Sequence, residues 1–361
     1  MNPSPRASGD ASRPGNRTRI AAMRNPTLRD VADAAGVHAA TASRALNPET
    51  RRLVNPETAK RVLKAAETLG YQPNPIARSL KTSKSRTIGL VVPDLTNPLF
   101  PPIVRGVEDV LGPAGYTAVI VNTDNDAGRE EALVSSLRQR QVDGLIVATA
   151  VLDHPLLRTL DEQGVRMVLV NRRTEGLDVP CITADDTAGI KMAVEHLAGL
   201  GHRRIVHVAG PQTTSTGVLR ASAFRTAIRD AGLDDDSRLV VACDFWSEGD
   251  GARAIREVLD SGVDLTAVVA GNDLIALGCY DVFAERGIVC PKDVSVVGFN
   301  DMPFLDKLGP PLTSVSVPQH QIGAEAARML LESFHETDRP SRSVLLPVSL
   351  AVRGSTAPPS H

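Results

Sequence analysis

From Thr87 onward the sequence alternates short, almost continuous apolar runs with helical segments. Runs that are apolar at nearly every position are typical of strands covered on both faces of a parallel sheet. The region spans about 270 residues, which is long for one doubly wound sheet, so we expect two similar α/β subdomains facing each other across a cleft. Ligands in such folds lie beyond the carboxyl ends of the strands. The runs are at residues 88–92, 117–121, 145–147, 167–170, 205–208, 267–269 and 294–297.

A short basic segment precedes this region. Residues 23–84 contain eleven Lys and Arg against five Asp and Glu, whereas residues 85–361 contain twenty-five against thirty-six. Helices are predicted at 28–35, 39–46 and 56–69, and the first two are joined by a tight turn at Gly36, which is a helix-turn-helix pattern. Because positive charge attracts phosphate, this segment favours DNA binding.

Several classes of protein are disfavoured by what the sequence lacks. It has no apolar run near the roughly 18 residues of a membrane span and no secretory h-region. The four cysteines lie far apart without a CxxC pair, which fits a reducing cytoplasm and argues against a zinc site. There is no P-loop, GxGxxG, HExxH or GxSxG motif. We therefore expect a cytoplasmic protein that is not an enzyme and needs no cofactor, metal or membrane.

Ordered sequence motifs resemble the LacI/GalR family of bacterial transcription regulators. TLRDVADAAGV at 27–37 and TASRALN at 41–47 resemble its DNA-binding helix-turn-helix, and GYQPNPIARSL at 70–80 resembles its hinge helix. The similarity covers about residues 26–354. It continues through IGLVVPD at 88–94, NPLF at 97–100, GHRRI at 201–205, GND at 271–273, DVSVVGFND at 293–301 and LLPVSL at 345–350.

The resemblance implies a domain organisation. It consists of an N-terminal all-α helix-turn-helix domain and an α/β periplasmic-binding-protein-like core of two doubly wound parallel-sheet subdomains, joined by three crossings. The expected boundaries are a disordered tail at 1–25, the helix-turn-helix domain at 26–72, a hinge helix and linker at 73–84, the core at 85–354 and a tail at 355–361. Within the core, the N-subdomain is expected at about 87–184 and 317–341, and the C-subdomain at about 185–316 and 342–354.

The resemblance places residues 39–46 in the major groove as the recognition helix. Relatives usually read bases from its first two positions, which here are Ala39 and Ala40 and cannot donate hydrogen bonds. Arg44, able to pair with guanine or phosphate, and DNA shape should therefore carry more of the specificity. His38 stands where a capping Ser is usual, and Leu80 is the residue that wedges into the minor groove. The full expected DNA-binding set is Thr27, His38, Ala39, Ala40, Thr41, Ser43, Arg44, Asn47, Tyr71, Asn74, Ala77, Arg78, Leu80 and Lys81.

Seven residues fall on positions that line or adjoin the effector pocket of relatives. They are Phe100, Asn171, Arg220, Trp246, Asn272, Asp273 and Asn300. An Arg fork, an indole face and amide side chains suit a polyhydroxylated ligand, although Asp273 also suits a helix cap. Asn171 and Asn300 replace Asp residues of relatives, so anionic ligands such as sugar phosphates become less unfavourable. The adjacent Asp185 and Asp186 are expected to cap a helix.

The resemblance thus implies a homodimeric repressor of carbohydrate-utilisation genes. It would bind a near-palindromic operator with a central CpG step and respond to a sugar or sugar derivative. Only eight residues follow Arg353, so a tetramerising heptad tail is not expected. The alternatives are control by a phosphorylated partner protein, a nucleoside or purine effector, and a free-standing sugar-binding or sugar-processing protein.

Overall fold

The computed structural model describes residues 26–47, 50–72, 84–233, 235–335 and 341–360. The chain divides into two compact units, Met1–Thr82 and Ser83–His361. The predicted tail at 1–25 and the predicted hinge helix lie outside the described residues. The expected DNA contacts that fall there are Asn74, Ala77, Arg78, Leu80 and Lys81.

The first unit contains three helices, α1 (Leu28–Ala35), α2 (Ala39–Leu46) and α3 (Pro56–Leu69), within the residues described there. Their bounds are those predicted, because the cap residues fix them. Thr27 Oγ1 accepts from the Asp30 N–H, Thr27 N–H donates to Asp30 Oδ2, and α1 ends at Gly36 with φ 63°. A small core of buried side chains joins the helices: Val31, Ala32, Ala35, Ala42, Ala45, Ala59, Val62 and Ala66.

The described part of the second unit has twelve strands and eight further helices. Strands β1 to β12 are Thr87–Val92, Thr117–Asn122, Gly144–Val147, Met167–Val170, Cys181–Ala184, Ile205–Ala209, Val240–Ala242, Ala267–Ala270, Ser295–Asn300, Thr313–Ser316, Ser343–Leu346 and Ser349–Ala351. Helices α4 to α11 are Phe100–Leu111, Ala127–Gln139, Pro155–Glu162, Asp186–Gly199, Ser215–Asp230, Glu248–Asp260, Asp273–Arg286 and Gln319–Ser333.

The strands form two six-stranded sheets, which confirms the predicted fold class. The first sheet has the order β11-β5-β4-β3-β1-β2 and the second has the order β12-β10-β9-β8-β6-β7. Neighbouring strands are parallel except β10 and β12, which are antiparallel. One cluster of buried apolar side chains extends from Ile88 in the first sheet to Phe299 in the second.

Helix α4 packs closely along α11, and this places Phe100 at the carboxyl end of the first sheet. The approach needs glycine on both helices. A Cβ at Gly106 would lie 2.0 Å from the His320 carbonyl oxygen, and one at Gly323 would lie 1.9 Å from that of Ile103.

Two expected boundaries are corrected by the structure. The chain leaves the first sheet after Leu346, not near residue 341, because β11 pairs with β5 and Val344 lies opposite Ile182. Pro347 follows and has no N–H for a strand ladder. The expected tail at 355–361 begins inside the second sheet layer: Ser355 is fully buried, and its Oγ donates to the Val296 carbonyl at 2.6 Å.

Candidate functional site

The exposed face of α2 carries the expected DNA-contacting side chains. Ala40 and Arg44 are exposed, whereas Ala42 and Ala45 are buried against the rest of the unit. His38 caps the helix, since its Nδ1 accepts from the Ala40 N–H at 3.2 Å. A histidine at this position therefore supplies the cap expected of serine, and its side chain stays exposed.

The remaining described members of the DNA-binding set surround this face. Thr41, Ser43 and Ala39 are partly exposed on α2, and Asn47 is its C-cap. Thr27 is partly exposed and belongs to the α1 cap. Tyr71 is half-buried after α3, and burial raises the pKa of its phenol.

The carboxyl ends of both sheets meet at one cleft in the second unit. Asn171 and Arg172 follow β4, Asn300 ends β9, and Asn272 follows β8. An inner cavity of about 20 Å³ is lined by Asn97, Leu99, Phe100, Asn171, Arg172, Thr216, Arg220, Trp246, Asn272 and Asn300. Six of the seven expected effector contacts are thus brought together, and Asp273 is the exception.

Arg220 lines the inner cavity and contacts a carboxylate, a backbone carbonyl and two aromatic rings. Its Nε and Nη2 each lie 2.7 Å from Oδ1 of Asp186, and its Nη1 donates to the Gly271 carbonyl at 2.6 Å. The guanidinium carbon lies 3.6 Å from the Phe299 ring centre and 5.4 Å from that of Trp246. Arg220 is therefore preorganised by its ion pair with Asp186, its hydrogen bond to Gly271 and its cation–π contact with Phe299.

Asp186 is a site residue that sequence reasoning assigned to helix capping. Asp185 does cap α7, by accepting from the Ala188 N–H at 2.9 Å. The Asp186 carboxylate instead holds Arg220 and is 4% exposed. Burial raises the pKa of this carboxyl, and the charge of Arg220 opposes the rise. No sequence signal separates the roles of the two adjacent aspartates.

Asp273 supports the second sheet from within. Its fully buried carboxyl group accepts from the Ser314 hydroxyl at 2.6 Å and from the Met302 N–H at 2.9 Å. Burial raises its pKa to about 7. Asn272, the preceding residue, caps α10 by accepting from the Ile275 N–H. Both side chains are therefore held by internal hydrogen bonds, but only Asn272 lines the inner cavity.

Three buried polar atoms in the cleft have no hydrogen-bond partner among the described residues. They are Nε of Arg172, Nε1 of Trp246 and Oδ1 of Asn300. An unsatisfied buried polar atom costs about 1–3 kcal/mol, so such atoms are rare in native structures. Their concentration in one cavity favours a polar ligand that donates to the amide oxygen and accepts from the two N–H groups.

A wider cavity of about 450 Å³ adjoins the inner one, and both are lined by Asn97, Phe100, Arg172 and Trp246. Its wall includes a buried cluster of Glu130, Thr149 and His154, which sequence reasoning missed. Arg172 lines this cavity together with the side chains of Asp94, Glu130, Glu131, Asp153 and Asp244.

None of the helices in the described part of the chain is long and apolar enough to cross a membrane. Within the same ranges, no group of three or more His, Cys, Asp or Glu side chains is arranged to hold a metal ion.

Comparisons with known proteins identify relatives over most of the chain. The model for bacterial regulatory proteins of the lacI family matches residues 27–74, and a periplasmic binding protein-like domain matches residues 194–356. The ribose operon repressor of Halalkalibacterium halodurans is 32% identical over 330 residues, which is 91% of this chain and 97% of that protein.

Solved structures are similar over the same extent. A transcriptional regulator described as a CelR–cellobiose complex is 33% identical with a TM-score of 0.71, covering 91% of this chain and 99% of that one. A lac repressor dimer bound to operator and the anti-inducer ONPF has a TM-score of 0.81 at 26% identity, covering 92% of this chain and all of that one.

Proposed function

This chain belongs to the lacI family of bacterial regulatory proteins, and we propose that it represses carbohydrate-utilisation genes. It is a DNA-binding transcription regulator that acts as a homodimer on operator DNA and is controlled by a small-molecule sugar effector. Because the relatives are regulators, we also propose that this chain has no catalytic activity. We propose that it works in the cytoplasm, where it can reach its operator DNA.

The unpartnered polar atoms in the cleft carry the proposal of a sugar effector. Sugar hydroxyls both donate and accept, so one ring can satisfy Asn300 Oδ1 as well as the N–H groups of Arg172 and Trp246. The Trp246 indole offers an apolar face. The indole packs against Gly210, where a Cβ would lie 2.0 Å from the ring, so this position needs glycine.

The exposed face of α2 supports sequence-specific DNA binding through sparse contacts. Ala39 and Ala40 contribute only apolar contact or space, so Arg44 and DNA shape carry the specificity. A near-palindromic operator is expected from a symmetric dimer, and its central CpG step is what the family resemblance implies. Leu80 is proposed as the minor-groove wedge on the strength of the sequence.

Effector binding is coupled to DNA binding through the angle between the two sheet layers. The effector contacts come from both layers: Phe100 and Arg172 belong to the first, and Arg220 and Asn300 to the second. A ligand held between them favours one angle and so sets the spacing of the hinge segments in the dimer. The alternatives, control by a phosphorylated protein or by a nucleoside, predict no response to sugars.

The test is operator binding with and without sugars. Binding sites are selected from random duplexes with the purified full-length chain, and affinity is measured by fluorescence anisotropy as single sugars are added. We expect a palindromic site whose affinity changes at least fivefold with one sugar, the usual scale of coupling between sites. Selection of no site, or an affinity that no sugar changes, overturns the proposal.

A matched pair of variants links this response to the cleft. Trp246→Phe removes an unpartnered N–H from the cavity, so it should raise the sugar concentration needed for the response while leaving operator affinity unchanged. The control is Tyr280→Phe, which removes a hydroxyl that lies 3.4 Å from the Pro310 carbonyl oxygen. This variant should change neither the sugar concentration needed for the response nor the operator affinity.

A further inference from the structure

We infer that the cleft contains a second binding subsite, formed by Glu130, Thr149, His154 and Arg172, which takes the second ring of an uncharged disaccharide. The inference rests on the proposed function and names the class of effector. We call this part of the wider cavity the outer subsite. The inner subsite is the end of the wider cavity beside Trp246 together with the inner cavity of about 20 Å³, which by itself holds only about one water molecule.

The outer subsite has a preorganised polar wall. Glu130, Thr149 and His154 are 6%, 6% and 7% exposed. The Thr149 hydroxyl donates to Oε1 of Glu130 at 2.5 Å, and Nε2 of His154 lies 3.4 Å from Oε2. Nδ1 of His154 accepts from the Leu157 N–H at 3.5 Å, which leaves Nε2 on the side of the carboxylate. The Glu130 carboxylate is thus held by the Thr149 hydroxyl and lies beside the His154 ring.

Arg172 supplies the complementary donors. Its side chain is 6% exposed, lines both subsites and has an unpartnered Nε. Burial and the nearby charge of Arg220 lower its pKa to about 10, so it stays protonated at neutral pH. One wall of the outer subsite thus offers carboxylate and hydroxyl acceptors, and the guanidinium beside it offers donors. A ligand hydroxyl both donates and accepts, so a second set of ligand hydroxyls can bond to both.

The size of the cleft also favours more than one ring. Ligand pockets for drug-sized molecules are about 300–1,000 Å³, and the wider cavity, at about 450 Å³, lies in that range. Glu130 and Thr149 line the wider cavity and not the inner one, so a ring bound only beside Arg220 and Trp246 would not contact them. The half-exposed Phe245 beside Trp246 extends the apolar face outward, as stacking of a second sugar ring requires.

The buried carboxylate of Glu130 disfavours an anion at the outer subsite. Asp153 and Asp244, which also line the wider cavity, are exposed and paired with Arg158 and Arg253, so Glu130 carries this argument. A phosphate or carboxylate on the second ring would meet like charge in a partly water-excluded space, where repulsion is poorly screened. The effector class is therefore a neutral disaccharide and not a sugar phosphate.

The test is calorimetry on the full-length chain with defined probes: glucose, galactose, ribose, maltose, cellobiose, lactose, trehalose, glucose 6-phosphate and uridine. We expect one disaccharide to bind at least tenfold more tightly than every monosaccharide, and the phosphate not to bind. A monosaccharide, the phosphate or uridine binding as tightly as the best disaccharide overturns the inference.

Variants separate the two subsites. Glu130→Gln and Ala127→Trp should each weaken binding of that disaccharide at least tenfold and change monosaccharide binding less than twofold. Ala127 is an exposed cavity-lining residue at the start of α5, so a large side chain can fill the outer subsite without entering the core. Glu162→Gln, on an exposed part of α6, is the control. Equal weakening of disaccharide and monosaccharide overturns the inference.

The outcomes also separate this inference from the proposed function. If a monosaccharide binds best and changes operator affinity, the regulator function stands and the outer subsite fails. If no sugar binds and operator affinity never changes, both fail.

Discussion

Arg220 and Asp186 form a buried ion pair in which two guanidinium nitrogens lie 2.7 Å from one carboxylate oxygen. A third nitrogen donates to the Gly271 carbonyl. An arginine has five N–H groups, so these contacts leave one hydrogen on each Nη for an effector. The pair fixes the direction in which Arg220 presents those hydrogens before any ligand arrives.

Replacing Arg220 by Met should destabilise the protein strongly, because it leaves the buried Asp186 carboxylate without its partner. Breaking a buried pair in this way costs about 3–5 kcal/mol. The double variant Arg220→Met with Asp186→Asn should recover most of that loss. Urea denaturation measures the free energy of unfolding of both variants. A loss below about 1 kcal/mol for the single variant would show that the two side chains do not form a buried ion pair.

Arg44→Ala should weaken operator binding and relax sequence preference at one base pair per half-site. A bidentate contact to guanine is worth about 1–3 kcal/mol of discrimination. Affinity for the operator and for single-base variants is measured at several salt concentrations. A uniform loss across all sequences, with a shallower salt dependence, would instead identify Arg44 as a phosphate contact. Arg29→Ala, exposed on α1, is the control for charge alone.

Leu80→Ala should reduce binding to the selected operator and leave nonspecific binding nearly intact. A wedge side chain acts only where the central base step opens, so it contributes nothing to random DNA. Competition between operator and random duplex gives both affinities in one experiment. Equal losses on the two would contradict the wedge role.

His207 should make stability fall in mild acid. Its ring is fully buried, its Nδ1–H donates to the Val269 carbonyl, and burial lowers its pKa to about 4 from the ordinary 6.5. Between these values the unfolded chain holds the proton and the folded chain does not, so its stabilising contribution is present above pH 6.5 and is lost as pH falls towards 4.

The size of this effect follows from the pKa difference, at about 1.4 kcal/mol for each unit, or roughly 3 kcal/mol in all. His207→Asn keeps a donor for Val269 and removes the titration. Although the variant loses the stacking on Phe224, that cost does not depend on pH. Denaturation midpoints from pH 4 to 7 should therefore vary less in the variant, and parallel curves would exclude His207 as the cause.

The parts of the fold predicted from the sequence are those that carry local signals. Caps at Thr27, Gly36, Asn55 and Gly70 fix the ends of α1 and α3. The seven predicted runs all became strands, because each is apolar almost throughout. Strand β10 was missed because it contains polar residues, Thr313 and Ser314, that are nevertheless fully buried. Their hydrogen bonds go to Ser355 and Asp273, which are distant in the sequence.

Site residues too were predicted where the sequence carries a signal for them and missed where their role depends on tertiary contacts. Phe100, Trp246 and Asn300 were predicted through the family resemblance, and the structure places them around the inner cavity. Asp186 and Glu130 were not predicted, because their roles depend on partners that only the tertiary structure brings to them. Asp186 meets Arg220, 34 residues further along the chain, and Glu130 meets Thr149 and His154 across the wall of the cleft.

We expect the cleft ligand and the operator each to prefer particular conformations of the same protein, so that each changes the affinity for the other. This coupling is measured by the fluorescence of Trp246, the single tryptophan in the sequence, as the best-binding sugar is titrated with and without saturating operator. Because coupling is reciprocal, we expect the sugar affinity to change on DNA by the same factor, at least fivefold, by which that sugar changes operator affinity. Equal sugar affinity in the presence and absence of operator would contradict the account.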